Sequence, residues 1–66
     1  MYHNLVHELK KKNITNKAVA ELIGTTEKTF FNKVNGASEF TLTEAMSIND
    51  NLLPEFRLDY LFTRTA

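Results

Sequence analysis

Residues 16–36, NKAVAELIGTTEKTFFNKVNG, have the pattern of two short helices joined by a connection of three residues. The first helix is expected to end at Gly24, since glycine adopts without penalty the left-handed conformation that closes a helix. The second is expected to run from about Glu27 to Val34, with Asn35-Gly36 as its exit. Ala20 is small where a second helix must cross the first closely. This spacing predicts two short helices in tight contact.

The rest of the chain continues the helical pattern and has no strand-like alternation of useful length. A helix is expected over residues 2–12, and another from the capping box TLTE at residues 41–44 until Pro54 interrupts it. A short final turn is expected over residues 59–62. A chain of 66 residues has room for one domain. The sequence therefore predicts an all-α fold, a five-helix bundle that forms a single domain over residues 1–66.

Apolar side chains at helical spacing define the expected core of this bundle. In the final segment Leu58, Leu61 and Phe62 are expected to close it. On the two central helices, and on the helix that follows the capping box, the expected inward positions are Val19, Ala20, Ile23, Phe30, Val34, Leu42, Ala45, Ile48 and Leu52.

The chain has no net charge at neutral pH, but its charges are divided unequally along the sequence. Residues 1–36 contain six lysines and three glutamates, whereas residues 37–66 contain two arginines and five acidic residues. A net charge of +3 is thus followed by one of −3. This asymmetry is expected if one face of the protein meets phosphate and another does not. Because three charges are few, the electrostatic contribution to such binding should be modest.

Several function classes are not favoured by the sequence. There is no cysteine, and His3 and His7 are read more simply as two surface histidines than as metal ligands. No glycine-rich phosphate loop, carboxylate pair or nucleophilic triad is recognisable, so no catalytic residue, cofactor or enzyme activity is expected. No apolar run approaches the roughly 18 residues of a membrane span, and no signal-peptide pattern opens the chain, so we expect a cytoplasmic protein without membrane contact.

The segments ITNKAVAELIG and KTFFNKVNG, followed by FTLTEA and LDYLF, resemble the Xre/Cro-type, lambda repressor-like helix-turn-helix family, and within it small phage and prophage regulators. The resemblance covers nearly the full chain. It implies a sequence-specific regulator of transcription that acts as a dimer on palindromic double-stranded DNA. The second motif helix, here about residues 27–35, would lie in the major groove. The best-matched positions are Ala20, Gly24, Phe30, Asn35 and Gly36.

Three positions depart from the common pattern of that family. Asn16 stands where a glutamine often anchors a phosphate, and it is shorter but keeps the amide donor. Lys33 stands where an apolar residue is usual, so Val34 is expected to take the inward role. Phe31 stands where a small polar residue is usual. Its ring either adds to the core or faces the DNA groove or a partner.

The outward residues of the second motif helix are candidates to read bases. Lys28 can donate to guanine O6 and N7, and Asn32 can pair with adenine N6 and N7. Thr29 can touch a base edge, a phosphate or a thymine methyl group. Glu27 can accept from cytosine N4 or simply balance the helix dipole. The other candidates are phosphate-holding or backbone-contacting residues, one cap residue and the aromatic position, namely Asn16, Lys17, Lys33, Asn35, Thr26 and Phe31.

The C-terminal segment has more apolar side chains than a small core needs, so a homodimer through this segment is expected. An alternative function remains open, in which the chain is a protein-interaction module on the same fold, such as an antirepressor or adaptor that does not bind DNA. The zero net charge and Phe31 support that alternative. No small-molecule ligand is expected. The residues expected at the dimer contact are Leu52, Leu53, Phe56 and Tyr60.

Overall fold

The structure is a computed structural model that describes residues 1–64, so residues 65 and 66 of the expected domain lie outside the described residues. It contains five helices and, over residues 1–64, no strand. The expected all-α class is therefore confirmed. In chain order the helices are α1 (His3–Lys11), α2 (Asn16–Ile23), α3 (Glu27–Val34), α4 (Leu42–Leu52) and α5 (Leu58–Leu61).

Short-range side-chain contacts fix the ends of the two central helices. The hydroxyl of Thr15 accepts a hydrogen bond from the amide of Ala18 at 3.1 Å, and that of Thr26 accepts from the amide of Thr29 at 3.2 Å. Each such cap contributes about 1 kcal/mol, because it satisfies a backbone N–H that has no partner within the helix. Gly24 ends α2 with a φ of +75°, which confirms the left-handed helix end expected there.

The capping box at the start of α4 forms as the sequence predicts. The Thr41 hydroxyl accepts from the Glu44 amide at 3.1 Å, and the Glu44 carboxylate accepts in return from the Thr41 amide at 3.0 Å. These two bonds fix the position at which α4 leaves the preceding loop. At its other end α4 stops at Leu52, two residues before Pro54.

One core joins all five helices. α2 packs mainly against α3 and α4, and α5 packs against α4 and α1. Of the expected inward residues, Ile23 and Leu52 are only partly buried but still pack against the core. The buried apolar residues are Tyr2, Leu5, Leu9, Val19, Ala20, Phe30, Val34, Ala45, Ile48, Leu53 and Leu61.

Four aromatic rings close one side of this core. The ring of Tyr2 contacts those of Phe40 and Phe62 edge-on, with centroid distances of 5.3 and 5.8 Å. Phe40 also contacts Phe30 at 5.9 Å and Phe62 at 5.2 Å. Edge-on pairs of this kind add about 0.5–1.5 kcal/mol each beyond the burial of their area. Phe40 lies in the loop between α3 and α4, so helical periodicity gives no signal for its part in the core.

Two leucines lie where the sequence pattern does not predict them. Leu42 was expected to face inward but is 68% exposed, because it is the first residue of α4 and stands at the edge of the core. Leu53 was expected at a dimer surface but is fully buried (0% exposed). Its amide still donates to the carbonyl groups of Ile48 and Asn49, which holds it against the core beyond the end of α4. Leu53 is therefore not available to a partner.

Polar side chains fasten α5 to α1, although these helices are far apart in sequence. The Asn4 side-chain amide donates to the Tyr60 carbonyl at 2.9 Å, and the Tyr60 hydroxyl donates to the buried carboxylate of Glu8 at 2.8 Å. The hydrogen bond to Glu8 raises the pKa of Tyr60 above its usual value of 10.0, since loss of the proton would break the bond and bring two negative charges together. α5 itself begins and ends one residue earlier than the expected 59–62.

Candidate nucleic-acid interface

α3 has one face in the core and another toward the surface. Phe30 and Val34, one turn apart, are buried as the sequence predicts. A second set of residues, which we name the outward stripe, lies on a different side of the helix from Phe30 and Val34. Its members share one face because they are spaced three or four residues apart. All of these are exposed except Asn32, which is half-buried. The outward stripe consists of Lys28, Phe31, Asn32 and Asn35.

The first turn of α3 uses two of the candidate residues for its cap. The Thr26 hydroxyl, which accepts from the Thr29 amide, also donates to the Thr29 hydroxyl oxygen at 3.0 Å. The Thr29 hydroxyl keeps its own proton for a further acceptor. Glu27 is exposed in the same turn, where its charge complements the positive end of the helix. Thr26 is thus a structural residue, and Thr29 keeps one donor.

The start of α2 carries the two candidate phosphate contacts. Asn16 and Lys17 are the first residues of the helix, and both are exposed. Over residues 1–64 the Asn16 side chain makes no hydrogen bond and Lys17 forms no ion pair. A helix start with free donors and an adjacent cation is a favourable place for a phosphate oxygen. Both residues are therefore free to act as the sequence predicts.

Lys33 does not belong to the outward stripe. Its ammonium group lies 2.7 Å from the Glu44 carboxylate and 3.4 Å from the Glu39 carbonyl, and its side chain is only 13% exposed. It also lies 6.0 Å from the centre of the Phe40 ring. This position turns Lys33 toward α4, so the expected contact with a DNA backbone is replaced by a bond between two helices. The partners are eleven residues apart, and no local pattern signals their pairing.

The neighbour of Lys33, Glu44, is held in its charged form. Burial alone raises the pKa of the Glu44 carboxyl, but the hydrogen bonds from Lys33 and Thr41, together with the charge of Lys33, outweigh it. The pKa of Glu44 is therefore lowered from its usual 4.5. Because the pKa of Glu44 is lower in the folded state, its charged carboxylate stabilises the fold at pH values above the pKa that it has in the unfolded chain. This contribution is lost as the pH falls through the pKa of the folded state.

We expect Lys33→Met to destabilise the protein by about 1.5–3 kcal/mol at pH 7, the range for a hydrogen bond to a charged group. The difference from the wild type should shrink as the pH falls below 4.5, because protonation of Glu44 in the folded wild type removes its charge attraction for Lys33. Urea unfolding of both proteins, between pH 7 and the lowest pH at which the wild type is folded, measures this difference in the free energy of unfolding. Lys28→Met, on the exposed face of the same helix, is the matched control. A pH-independent loss in Lys33→Met would contradict the assignment.

Two residues of the outward stripe, Asn35 and Phe31, differ in the contacts that they make within the chain. The Asn35 side-chain amide donates to the carbonyl of Phe31 at 2.9 Å, which also accepts from the Asn35 backbone amide at 3.1 Å. Its side-chain oxygen stays available. The Phe31 ring is 56% exposed and is not part of the core. Of the roles that the sequence left open for Phe31, a contact with a groove or with a partner remains.

Ion pairs reduce the positive charge of the first half of the chain. Lys12 pairs with Glu55 at 2.6 Å, and Lys33 pairs with Glu44, so two lysines are neutralised by the acidic half. Within residues 1–64 the remaining lysines form no ion pair and are exposed. Exposed glutamates on α2 and α3 offset part of this charge. These unpaired lysines are Lys10, Lys11, Lys17 and Lys28.

The expected dimer residues leave less apolar surface than the sequence predicts. Besides buried Leu53, Leu52 packs partly against the core, and Phe56 is half-buried with its ring stacked on that of Tyr60 at 5.8 Å. Among the four, Tyr60 is the most exposed, at 38%. More apolar surface is found on α4, where Leu42 and Met46 lie one turn apart.

A pocket of about 410 Å³ lies beside Leu42, and its lining contains no residue of α2 or α3. The pocket is lined by Tyr2, Phe40, Thr41, Leu42, Ala45, Leu58, Asp59 and Phe62.

His3 and His7 are exposed on α1, and the described residues bring no three potential metal ligands together. Within residues 1–64 none of the helices combines the length and apolar character that a bilayer-spanning segment requires.

Comparisons of the chain with protein families, with curated proteins and with solved structures give no match. The role of the outward stripe must therefore follow from its own chemistry.

Proposed function

We propose that this chain is a sequence-specific regulator that binds double-stranded DNA through a helix-turn-helix formed by α2 and α3, with residues 27–35 in the major groove. The observation that carries the proposal is the outward stripe, in which a cation and two amides surround an exposed ring. The buried side chains of Phe30 and Val34 support it, because they anchor α3 with this stripe turned outward. In this proposal the chain is a binding protein and not an enzyme.

The chemistry of the stripe suits the edges of base pairs. Lys28 lies in the first turn of α3, and the N-terminal residues of a recognition helix lie deepest in the groove. Its ammonium group can donate to guanine O6 and N7, while the Asn32 amide can pair with adenine. Asn16 and Lys17 would hold a phosphate, which fixes the register of the protein without specifying sequence.

Selection of bound sequences from random duplex DNA tests the proposal. We expect a palindrome to be enriched, with its half-sites about one helical turn apart, since a two-fold dimer places two α3 helices in successive major grooves. A binding protein without sequence preference would return the starting pool unchanged. That result would overturn the proposal, provided that circular dichroism shows the chain to be folded.

The second candidate function is a protein-interaction module on the same fold. The exposed Phe31 ring and the small excess of unpaired lysines favour it. The salt dependence of the binding affinity distinguishes the two functions. A dimer with about four phosphate contacts should lose roughly a hundredfold in DNA affinity between 50 and 200 mM salt. An apolar protein interface should change little over the same range. Measuring the dissociation constant at both concentrations therefore decides between them.

The two-fold arrangement also needs a contact between copies. Leu42, which lines a pocket with Leu58 and Asp59 of α5, shares an exposed face of α4 with Met46. Asp59, which lines the same pocket as Leu42, forms an exposed ion pair with Arg57 at an N···O distance of 3.0 Å. A second copy related by a two-fold axis can therefore meet unlike charges around an apolar centre. We place the dimer contact on this surface instead of on Leu53.

We expect Leu42→Glu to weaken dimerisation at least about tenfold, because it places a charge in the centre of that contact. The free energy of unfolding of the monomer should change by no more than about 0.5 kcal/mol, since Leu42 is exposed and an acid suits the first turn of α4. Thr43→Glu adds the same charge one residue away and should dimerise like the wild type. Sedimentation equilibrium measures all three proteins. Equal dissociation constants for the wild type and Leu42→Glu would place the contact elsewhere.

A further inference from the structure

Phe31 is exceptional among the aromatic residues of the chain. The sequence has five phenylalanines and two tyrosines, and each of the other six rings contacts another aromatic ring in the structure. Phe31 takes part in none of these contacts and is 56% exposed. Leaving much of a phenylalanine ring in water forgoes the favourable burial that its neighbour Phe30 achieves. A ring in this position is therefore suited to a contact made outside the chain.

The neighbours of Phe31 indicate the kind of surface that this contact requires. Lys28 lies one turn before it, Asn35 lies one turn after it, and Asn32 is the next residue. Lys28 forms no ion pair over residues 1–64, so its charge is available to an anion. The matching surface has an apolar patch bordered by hydrogen-bond acceptors and negative charge.

The major groove of DNA provides such a surface at a thymine. Its 5-methyl group is the apolar feature of the groove floor, the neighbouring base edges present acceptors, and the phosphates add negative charge on both sides. An apolar surface on a protein partner would match the ring but would leave Lys28 without an anion. Charge complementarity therefore favours duplex DNA as the occupant.

We propose that Phe31 is a specificity-determining residue that selects a thymine in each half-site by contacting its 5-methyl group. This inference rests on the proposed function, since it requires α3 to lie in the major groove. Lys28 and Asn32 would read their bases by hydrogen bonds, whereas Phe31 reads a base by the shape and hydrophobicity of one methyl group. The contact gives a preference for thymine over cytosine and over uracil.

Replacing single thymines with uracil in the selected duplex tests the inference, because uracil lacks the methyl group but keeps the same base-pairing edge. Wild-type protein should bind about fourfold more weakly when the contacted thymine is replaced in one half-site, and about fifteenfold more weakly when both are replaced. Phe31→Ala should bind the thymine duplex more weakly than the wild type. It should show no difference between the thymine and uracil duplexes.

One control variant and the pattern of outcomes separate this inference from the proposed function. Leu22→Ala removes another exposed apolar side chain, on α2, and should keep the wild-type response to uracil. Wild-type protein that prefers no duplex would refute the proposed function itself before any uracil is introduced. Wild-type protein that prefers a duplex but tolerates uracil at every thymine would refute the inference alone. An identical uracil effect in the wild type and Phe31→Ala would also overturn it.

Discussion

Replacing Phe30 with alanine should lower the free energy of unfolding by about 3–5 kcal/mol. The Phe30 ring is 1% exposed and meets Phe40 edge-on, so its loss removes an aromatic contact and leaves a cavity in the core. A domain of this length has a total stability of about 3–10 kcal/mol. The variant should therefore unfold at a much lower urea concentration than the wild type. Urea unfolding followed by circular dichroism measures the difference.

The adjacent residue provides the matched control for that experiment. Phe31→Ala removes the same ring from the next position, yet it should change the free energy of unfolding by no more than about 0.5 kcal/mol, because the ring is exposed. Since the two variants have identical composition, any difference between them reports the orientation of α3. Equal destabilisation by both changes would mean that α3 is rotated so that Phe31 also enters the core.

The double variant Lys28→Ala, Asn32→Ala should keep the fold and lose the preference for the selected duplex over random DNA. Each well-placed pair of hydrogen bonds to a base contributes about 1–3 kcal/mol of discrimination, so losing two should reduce it by roughly 30-fold to ten-thousandfold. Neither side chain belongs to the core. Dissociation constants for both duplexes, with circular dichroism of the protein, measure the effect.

A phosphate contact is expected to respond differently. Lys17→Ala should weaken binding to the selected and random duplexes alike and reduce the salt dependence by about one counterion for each copy. Discrimination should stay at the wild-type level in this control. If the double variant at Lys28 and Asn32 also kept full discrimination, α3 would not be the helix that reads the sequence.

The helix boundaries could be predicted closely because the signals that set them are local. Thr15, Thr26 and Thr41 each bond to an amide three residues ahead, and Gly24 supplies the left-handed exit of α2. Such bonds depend on the few residues around a helix end and not on the rest of the fold. The predicted bounds of α2 and α3 therefore match those of the structure.

Side-chain placement near helix ends could not be predicted in the same way. Leu42 and Leu53 lie just inside one end and just beyond the other end of α4, yet one is exposed and the other is buried. Helical periodicity gives each an apolar position, but only the contacts of neighbouring helices decide which of them enters the core. The surface available to a partner therefore became clear only from the packing.

In the candidate site, too, local patterns predict some side-chain positions, and only the packing of the fold decides others. The periodicity of α3 places Phe30 and Val34 inward, which leaves Lys28 and Asn32 outward as the sequence predicts. The periodicity does not show that Lys33 forms an ion pair with Glu44, because that carboxylate comes from another helix. It also leaves Phe31 undecided, since an aromatic ring suits a core as well as a surface contact.

The bonds that join the segment of α1 to the segment around α5 have a consequence for how the chain folds. The links of Tyr60 to Asn4 and Glu8 span 56 and 52 residues, and the link of Lys12 to Glu55 spans 43. Forming them closes a loop that contains most of the chain, and the entropy of that closure must be offset by contacts made only afterwards. We therefore expect α2, α3 and α4 to assemble first. The arrival of α5 on α1 then completes the bundle as its last step.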